Sequence, residues 1–213
     1  ASLHDALPIL MESGSQLGGT MTTGGVCFPG LFYAWGKQII GGIGWELVTE
    51  TVRMNGDVLP DFNKPFGRNH PKHQILLNAP LFAMLAEEKC IKAGVSIRYY
   101  ETPVNVTALK SGWNVEVLGK GTHIAINCKQ IIDATGNASV AALAGYRRLK
   151  EEEVQPGSLI FELEGYDLSS LDFSDLSNKF DDALKRGVLL KTDAYAGVRG
   201  LLTAKGGLAT QHV

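Results

Sequence analysis

Three short runs of strand-like sequence, Val104 to Lys110, Trp113 to Leu118 and Thr122 to Asn127, are joined only by Ser111-Gly112 and by Gly119-Lys120-Gly121. Connections that short cannot carry a crossover, so the three runs are predicted to be antiparallel neighbours in a meander. The flanks read differently. A further strand run, Val95 to Tyr100, directly follows a helical pattern, and another, Gln130 to Asp133, leads into Ala134-Thr135-Gly136 and a small-residue helix over Ser139 to Ala144. A meander set among alternating helices and strands places the chain in the α/β class.

Two earlier helices are legible. Over Trp45 to Met54, Leu47, Val48 and Val52 recur at helical spacing, and Asn55-Gly56 supplies a stop. In the second, Asn78 is the expected N-cap and Pro80 falls in the first turn. There Leu81, Met84, Leu85 and Ile91 are expected on one face, Glu88 and Lys92 pair on another, and Gly94 ends the helix. Asp57 to Lys72 reads as loop. Past Pro156, Ser158 to Glu164 alternates as a strand does, and Asp175 to Arg186 reads as a helix closed by Gly187.

The two ends look foreign to a finished domain. Ser2 to Ile9 resembles a translated sequencing adapter, so residues 1–9 are left out of the expected fold. Ala204 to Val213 is expected to stop without completing a helix or strand. The expected organisation is one domain over 10–155 and the start of a second over 156–213, in a piece of a longer protein.

Composition excludes several functions. A net charge of −2 creates no field to draw nucleic acid or an anionic membrane. No apolar run approaches the ~20 residues that span a bilayer. Cys27, Cys90 and Cys128 are odd in number and far apart, which suggests neither a disulfide framework nor a metal site. The expected setting is a reducing, cytoplasmic one, with a small molecule as substrate.

Candidate chemistry begins at Leu10-Met11-Glu12, a short apolar run ending in an acid. In a dinucleotide-binding βαβ unit, such an acid hydrogen-bonds the ribose hydroxyls of the adenosine. Next comes Leu17-Gly18-Gly19-Thr20-Met21-Thr22-Thr23-Gly24-Gly25-Val26, rich in backbone N–H groups unobstructed by bulky side chains. Such a loop can wrap a pyrophosphate or lie against a flat ring. The hydroxyls of Thr20, Thr22 and Thr23 add donors. Ile131-Ile132-Asp133-Ala134-Thr135-Gly136 would carry the backbone close beneath a ligand. Arg53, His70 and His73 could bind an anion or move a proton, but all three read sooner as loop or helix-surface residues, and no catalytic residue is assigned.

Taken in order, these features resemble the FAD-dependent oxidoreductases with a glutathione-reductase type of FAD domain. The likeness is greatest to a bacterial family related to fumarate reductase and succinate dehydrogenase flavoproteins. The matching stretches are LMES, LGGTMTTGGV, GGIGWELV, AGVSIRYYETPVNV, QIIDATGNASVAALAG and GSLIFELEGYD. The resemblance implies an incomplete Rossmann-like FAD-binding domain, a parallel sheet plus the meander, followed by the start of an α+β substrate domain. It implies FAD as cofactor, with Glu12 on the adenosine ribose and Gly18, Gly19 and Thr20 near the pyrophosphate and ribityl chain. Thr23, Gly24 and Gly25 would lie near the isoalloxazine. Val104, in an ETPV turn, would meet the adenine through its backbone, and Ala134, Thr135 and Gly136 would lie beside the cofactor.

Departures from the pattern also carry expectations. Disulfide reductases of this kind have cysteines where this chain has Met21 and Val26, so a dithiol relay is not expected. Gly18 stands where covalent flavoproteins carry a histidine, so FAD is expected to bind noncovalently. The GxGxxG strand-turn-helix that should precede Leu10 is missing. In the implied sheet order 3-2-1-4-5, its absence should leave a gap between Leu10–Glu12 and Gln130–Asp133. An RNA-modifying flavoprotein is the alternative reading for the parent protein, and the chain as it stands is expected to be a truncated product without activity.

Overall fold

The computed structural model describes residues 7–64, 73–149, 152, 157–161, 165–190, 198–199, 202 and 208–212. Strand β1 (Ile9–Glu12) is followed by a glycine-rich loop and a small hairpin, β2 (Tyr33–Ala34) with β3 (Lys37–Gln38). Helices α1 (Ile43–Asn55) and α2 (Ala79–Lys92) come next, then β4 (Ser96–Tyr99). Strand β4 lies parallel to β1, with Glu12 opposite Tyr99. The helices thus form the crossover that a parallel pair requires.

Helix α1 begins two residues before its expected start at Trp45, while its end and the start of α2 fall where the sequence places them. Gly56 adopts φ 75° after α1, and its N–H donates to the carbonyls of Arg53 and Val52. The Asn78 side chain accepts the N–H of Leu81 at the start of α2. Glu88 and Lys92 pair at 2.7 Å on exposed surface. The buried side of α2, however, consists of Phe82, Ala83 and Leu85, while Met84 and Ile91 are 67% and 60% exposed. The burial of Phe82 sets this rotation, because it fills a cluster with Cys27, Phe32, Val48, Val52, Ile75 and Leu77.

Strands β5 (Glu101–Ala108), β6 (Trp113–Gly119) and β7 (Thr122–Cys128) form the expected antiparallel meander. The ETPV segment is not a turn, as read above, but the opening of β5. Its register slips between Pro103 and Asn105, so Val104 sits in a bulge without a ladder partner. Val106, Val115 and Val117 are buried here together with Val140 of α3 (Ser139–Leu143), and Met11 of β1 packs against the same cluster. Side chains alternate along a strand, and paired residues of a parallel ladder share a face. Met11 therefore faces the meander, while Glu12 and Tyr99 face the side occupied by α2.

Three expectations are corrected. The run 130–133 forms no strand and has no sheet partner among the described residues, with Ile131 packing on the meander and Ile132 92% exposed. A segment becomes a strand only with a ladder beside it, and among the described residues β1 pairs with β4 alone. Residues 1–9 are not all outside the fold, since Ile9 opens β1 and the Pro8 carbonyl accepts the N–H of Ser96. The far end does complete an element, β9 (Leu208–His212), antiparallel to β8 (Gly157–Phe161). Residues 162–164, expected to continue that strand, lie outside the described residues. Between β8 and β9, α4 (Phe173–Lys185) starts two residues earlier than expected, because Asp172 caps the N–H groups of Ser174 and Asp175. Among the described residues, no helix is long and apolar enough to cross a membrane.

Candidate functional site

The C-terminal ends of β1 and β4 lie together, and in open α/β sheets that is the side where ligands bind. Glu12 closes β1. Its Oε1 accepts the N–H of Gly14 at 2.6 Å and, more weakly, the Ser13 hydroxyl at 3.4 Å. Oε2 accepts nothing among the described residues, so the carboxylate is fixed by one oxygen and offers the other. Gly14 links Glu12 to its surroundings. Its carbonyl accepts the N–H of Tyr100 at 3.2 Å. A Cβ at Gly14 would stand 3.1 Å from Glu12 Oε1 and 4.0 Å from Thr23 Oγ1, which places Glu12 and Thr23 around one point.

The loop after Glu12 is folded on itself. A single 3-10 turn, Gly19–Met21, is bounded by N–H donations from Met21 to Gly18, from Thr22 and Gly24 to Gly19, from Gly25 to Thr22 and from Val26 to Thr20. Thr22 is buried and its hydroxyl donates to the Leu17 carbonyl at 2.8 Å, so it holds the loop and is no donor to a ligand. Thr20 and Thr23 remain exposed. The N–H groups of Gly19, Thr20 and Thr23 donate to no acceptor among the described residues. The glycines separate in the same way. Gly18, at φ 111°, would drive a Cβ to 2.5 Å from Thr22 Cγ2, and Gly24 would drive one to 2.8 Å from the Thr20 carbonyl. Gly19, at φ 50°, has no atom within 4 Å of a Cβ position. Gly25 is half-buried at φ 72°.

In the 133–136 turn, Asp133 does the organising, a role the sequence reading did not give it. It accepts the Thr135 N–H at 3.0 Å, the Thr135 hydroxyl at 2.6 Å and the Ala141 N–H at 2.8 Å. The Thr135 hydroxyl in turn accepts the N–H of Ser139. These donors, the Thr135 hydroxyl foremost, hold the Asp133 carboxyl below the usual aspartate range. An acid two residues before a threonine is the turn chemistry that could have revealed it. Ala134 and Gly136 are exposed, and Gly136, at φ 82°, leaves open space where a Cβ would project. Met11, Ile131 and Val140 share one apolar cluster, so the end of β1 and this turn rest on a common platform.

The remaining candidates fall away from this site. Arg53 pairs with Glu50 at 2.6 Å on exposed surface. His73 is buried, with Nε2 3.0 Å from the Lys64 carbonyl and its ring edge-on to Phe62, which corrects its reading as a surface residue. His70 lies outside the described residues. Cys27 is buried, and burial pushes its thiol above the ordinary range. All three cysteines are unlinked. On the α2 side, the Tyr99 hydroxyl donates to Glu87 at 2.6 Å. Burial, that hydrogen bond and the neighbouring charges of Glu87, Cys90 and Glu12 push its pKa up to about 12.

A family model described as FAD dependent oxidoreductase matches residues 5–204. The chain belongs to that family. Comparison with curated proteins and with solved structures gave no match. The family binds FAD, and several residues here fit that cofactor. Glu12 offers an unengaged carboxylate oxygen of the kind a ribose diol satisfies. The open backbone at Gly19 and Gly136 and the free N–H groups of Thr20 and Thr23 suit a close, anionic ligand. Gly18, Thr22 and Gly24 are explained by the loop's own packing, and Thr135 by the Asp133 turn.

Proposed function

We propose that this chain carries part of the FAD-binding half of an oxidoreductase that holds FAD noncovalently and acts on a small-molecule substrate. The observation carrying this reading is Glu12, fixed through Oε1 at a parallel strand end with Oε2 open. In this reading Glu12 accepts the ribose hydroxyls of the adenosine. Gly19 and Thr20 line the pyrophosphate, and Ala134 and Gly136 pass beneath the cofactor. Because Thr23 stands at the Gly14 turn beside Glu12, we assign it to the adenosine diphosphate half in place of the isoalloxazine. Val104, which the register slip leaves without a ladder partner, would meet the adenine through its backbone.

FAD, when bound, supplies the electron chemistry, and the protein supplies position and electrostatics. The lack of a histidine at Gly18 supports noncovalent attachment, and the kinship to fumarate reductase and succinate dehydrogenase flavoproteins rests on the motifs quoted above. Glutathione-reductase-like disulfide chemistry finds no support: Cys27 is buried, unlinked and raised in pKa. The domain division near residue 155, the Rossmann-like identity of the sheet and the fragment character of the chain belong to the same proposal. The unpaired edge of β1 and the partnerless run 130–133 are positions where one further parallel strand would fit. An absorbance spectrum of purified protein tests the reading. Flavin bands that survive gel filtration but are released by acid precipitation are expected; a colourless protein that takes up no added FAD would overturn it.

A further inference from the structure

Tyr100 is a bulky residue in a backbone conformation that such residues avoid. Its φ is 57°, in the left-handed region that glycine and asparagine favour. One hydrogen bond ties this conformation to the site. The Tyr100 N–H donates to the Gly14 carbonyl at 3.2 Å, and the Tyr100 carbonyl lies so near Gly119 that a Cβ there would come within 3.1 Å of it. The result is a half-exposed aromatic ring at the end of β4, two hydrogen bonds removed from Glu12 by way of Gly14. Lys120, in the β6–β7 turn, sets its ammonium 5.8 Å from the centre of that ring. A strained, wet aromatic held by a glycine turn gains nothing for the core, and strain of this kind persists where it positions a group for use.

We propose that Tyr100 is a purine platform of the nucleotide site: its ring stacks on the adenine base, and Lys120 fixes the ring from one side. This deepens the FAD reading and rests on it, because a ribose at Glu12 puts its base within reach of the Gly14 turn. Stacking on an aromatic ring is tolerant of detail and adds to affinity without requiring a base-edge hydrogen bond.

The test uses the intact protein with FAD and, separately, ADP as probes, and measures affinity by titration and the thermal midpoint on the same samples. Tyr100→Asn suits the left-handed backbone and removes the ring. It is expected to keep or raise the midpoint while weakening both FAD and ADP about tenfold. Tyr100→Phe keeps the ring and is expected to bind both probes as the unmodified protein does. A folded Tyr100→Asn variant that binds both probes with unchanged affinity overturns the platform. If Glu12→Ala weakens FAD while Tyr100→Asn does not, this inference fails and the FAD reading stands. Absence of binding by the unmodified protein removes both.

Discussion

Replacing Glu12 tests the site at the residue on which it turns. One carboxylate oxygen is already engaged by the Gly14 N–H at 2.6 Å, so only Oε2 remains for a ligand. Its loss should cost at least one charge-assisted hydrogen bond, ~1.5–3 kcal/mol. Glu12→Ala should therefore weaken FAD binding by about 10- to 150-fold in Kd. Glu12→Gln can keep the Gly14 contact through its carbonyl but presents a neutral amide to the diol, and should lose about 1 kcal/mol less than the alanine variant. Quenching of flavin fluorescence during titration into the intact protein gives both values. A thermal melt separates loss of binding from loss of fold, because the alanine variant also strands the Gly14 N–H. A folded Glu12→Ala protein with unchanged FAD affinity would refute the argument and leave Glu12 a solvated strand end.

Alkylation of the three cysteines in unfolded-then-refolded or partly opened protein provides a test of the redox type. With Cys27 modified and FAD still bound, a chemical reductant should bleach the flavin as before, and failure to do so would restore a thiol mechanism. The Asp133 carboxyl is held below its ordinary range, so its contribution is complete above the unfolded aspartate value and disappears as pH falls through the folded one. Unfolding midpoints followed from about pH 5 to about pH 2 should thus fall less steeply in Asp133→Asn than in the unmodified protein, and parallel curves would contradict the assignment. Asn78→Ala removes the cap on the Leu81 N–H and should cost about 1 kcal/mol in urea unfolding.

What the sequence made legible was local. The meander follows from the brevity of Ser111-Gly112 and Gly119-Lys120-Gly121, and α2 starts where Asn78 and Pro80 say it must. Pairing between distant segments was less legible. The run 130–133 has a strand's composition, yet strand formation depends on a neighbour that composition does not record. The β2–β3 hairpin escaped notice because its turn is Trp35-Gly36, both at positive φ, where glycine or asparagine is the usual signal at the first position. At the candidate site, the place of Glu12 at a strand end was readable from the apolar run before it. The contacts of Gly14 and Tyr100 were not, because each is a backbone hydrogen bond that only the fold creates, whereas the Asp133 turn had a local signal in the threonine two residues on.

The glycine loop shows why residue type alone could not sort structural from functional positions, and it yields one more prediction. Gly18, Gly19 and Gly24 look alike in sequence. In the fold, Gly18 and Gly24 are required by the loop itself, since an added Cβ would collide with Thr22 or with the Thr20 backbone. Alanine at either position would disrupt the loop and reveal nothing about a ligand. Gly19 differs: its φ of 50° is open to alanine at a cost of ~1–2 kcal/mol, and its Cβ would meet no protein atom within 4 Å. The Gly19 carbonyl would still accept the N–H groups of Thr22 and Gly24, so the loop should survive Gly19→Ala. The new methyl, however, would project into the space assigned to the pyrophosphate. Displacing one charge-assisted hydrogen bond there should weaken FAD about tenfold. Urea unfolding of the variant is expected to show only the modest backbone cost, while flavin titration shows the larger loss. If Gly19→Ala binds FAD as tightly as the unmodified protein, the open face of this loop is not where the pyrophosphate lies, and the cofactor must approach from another side of Glu12.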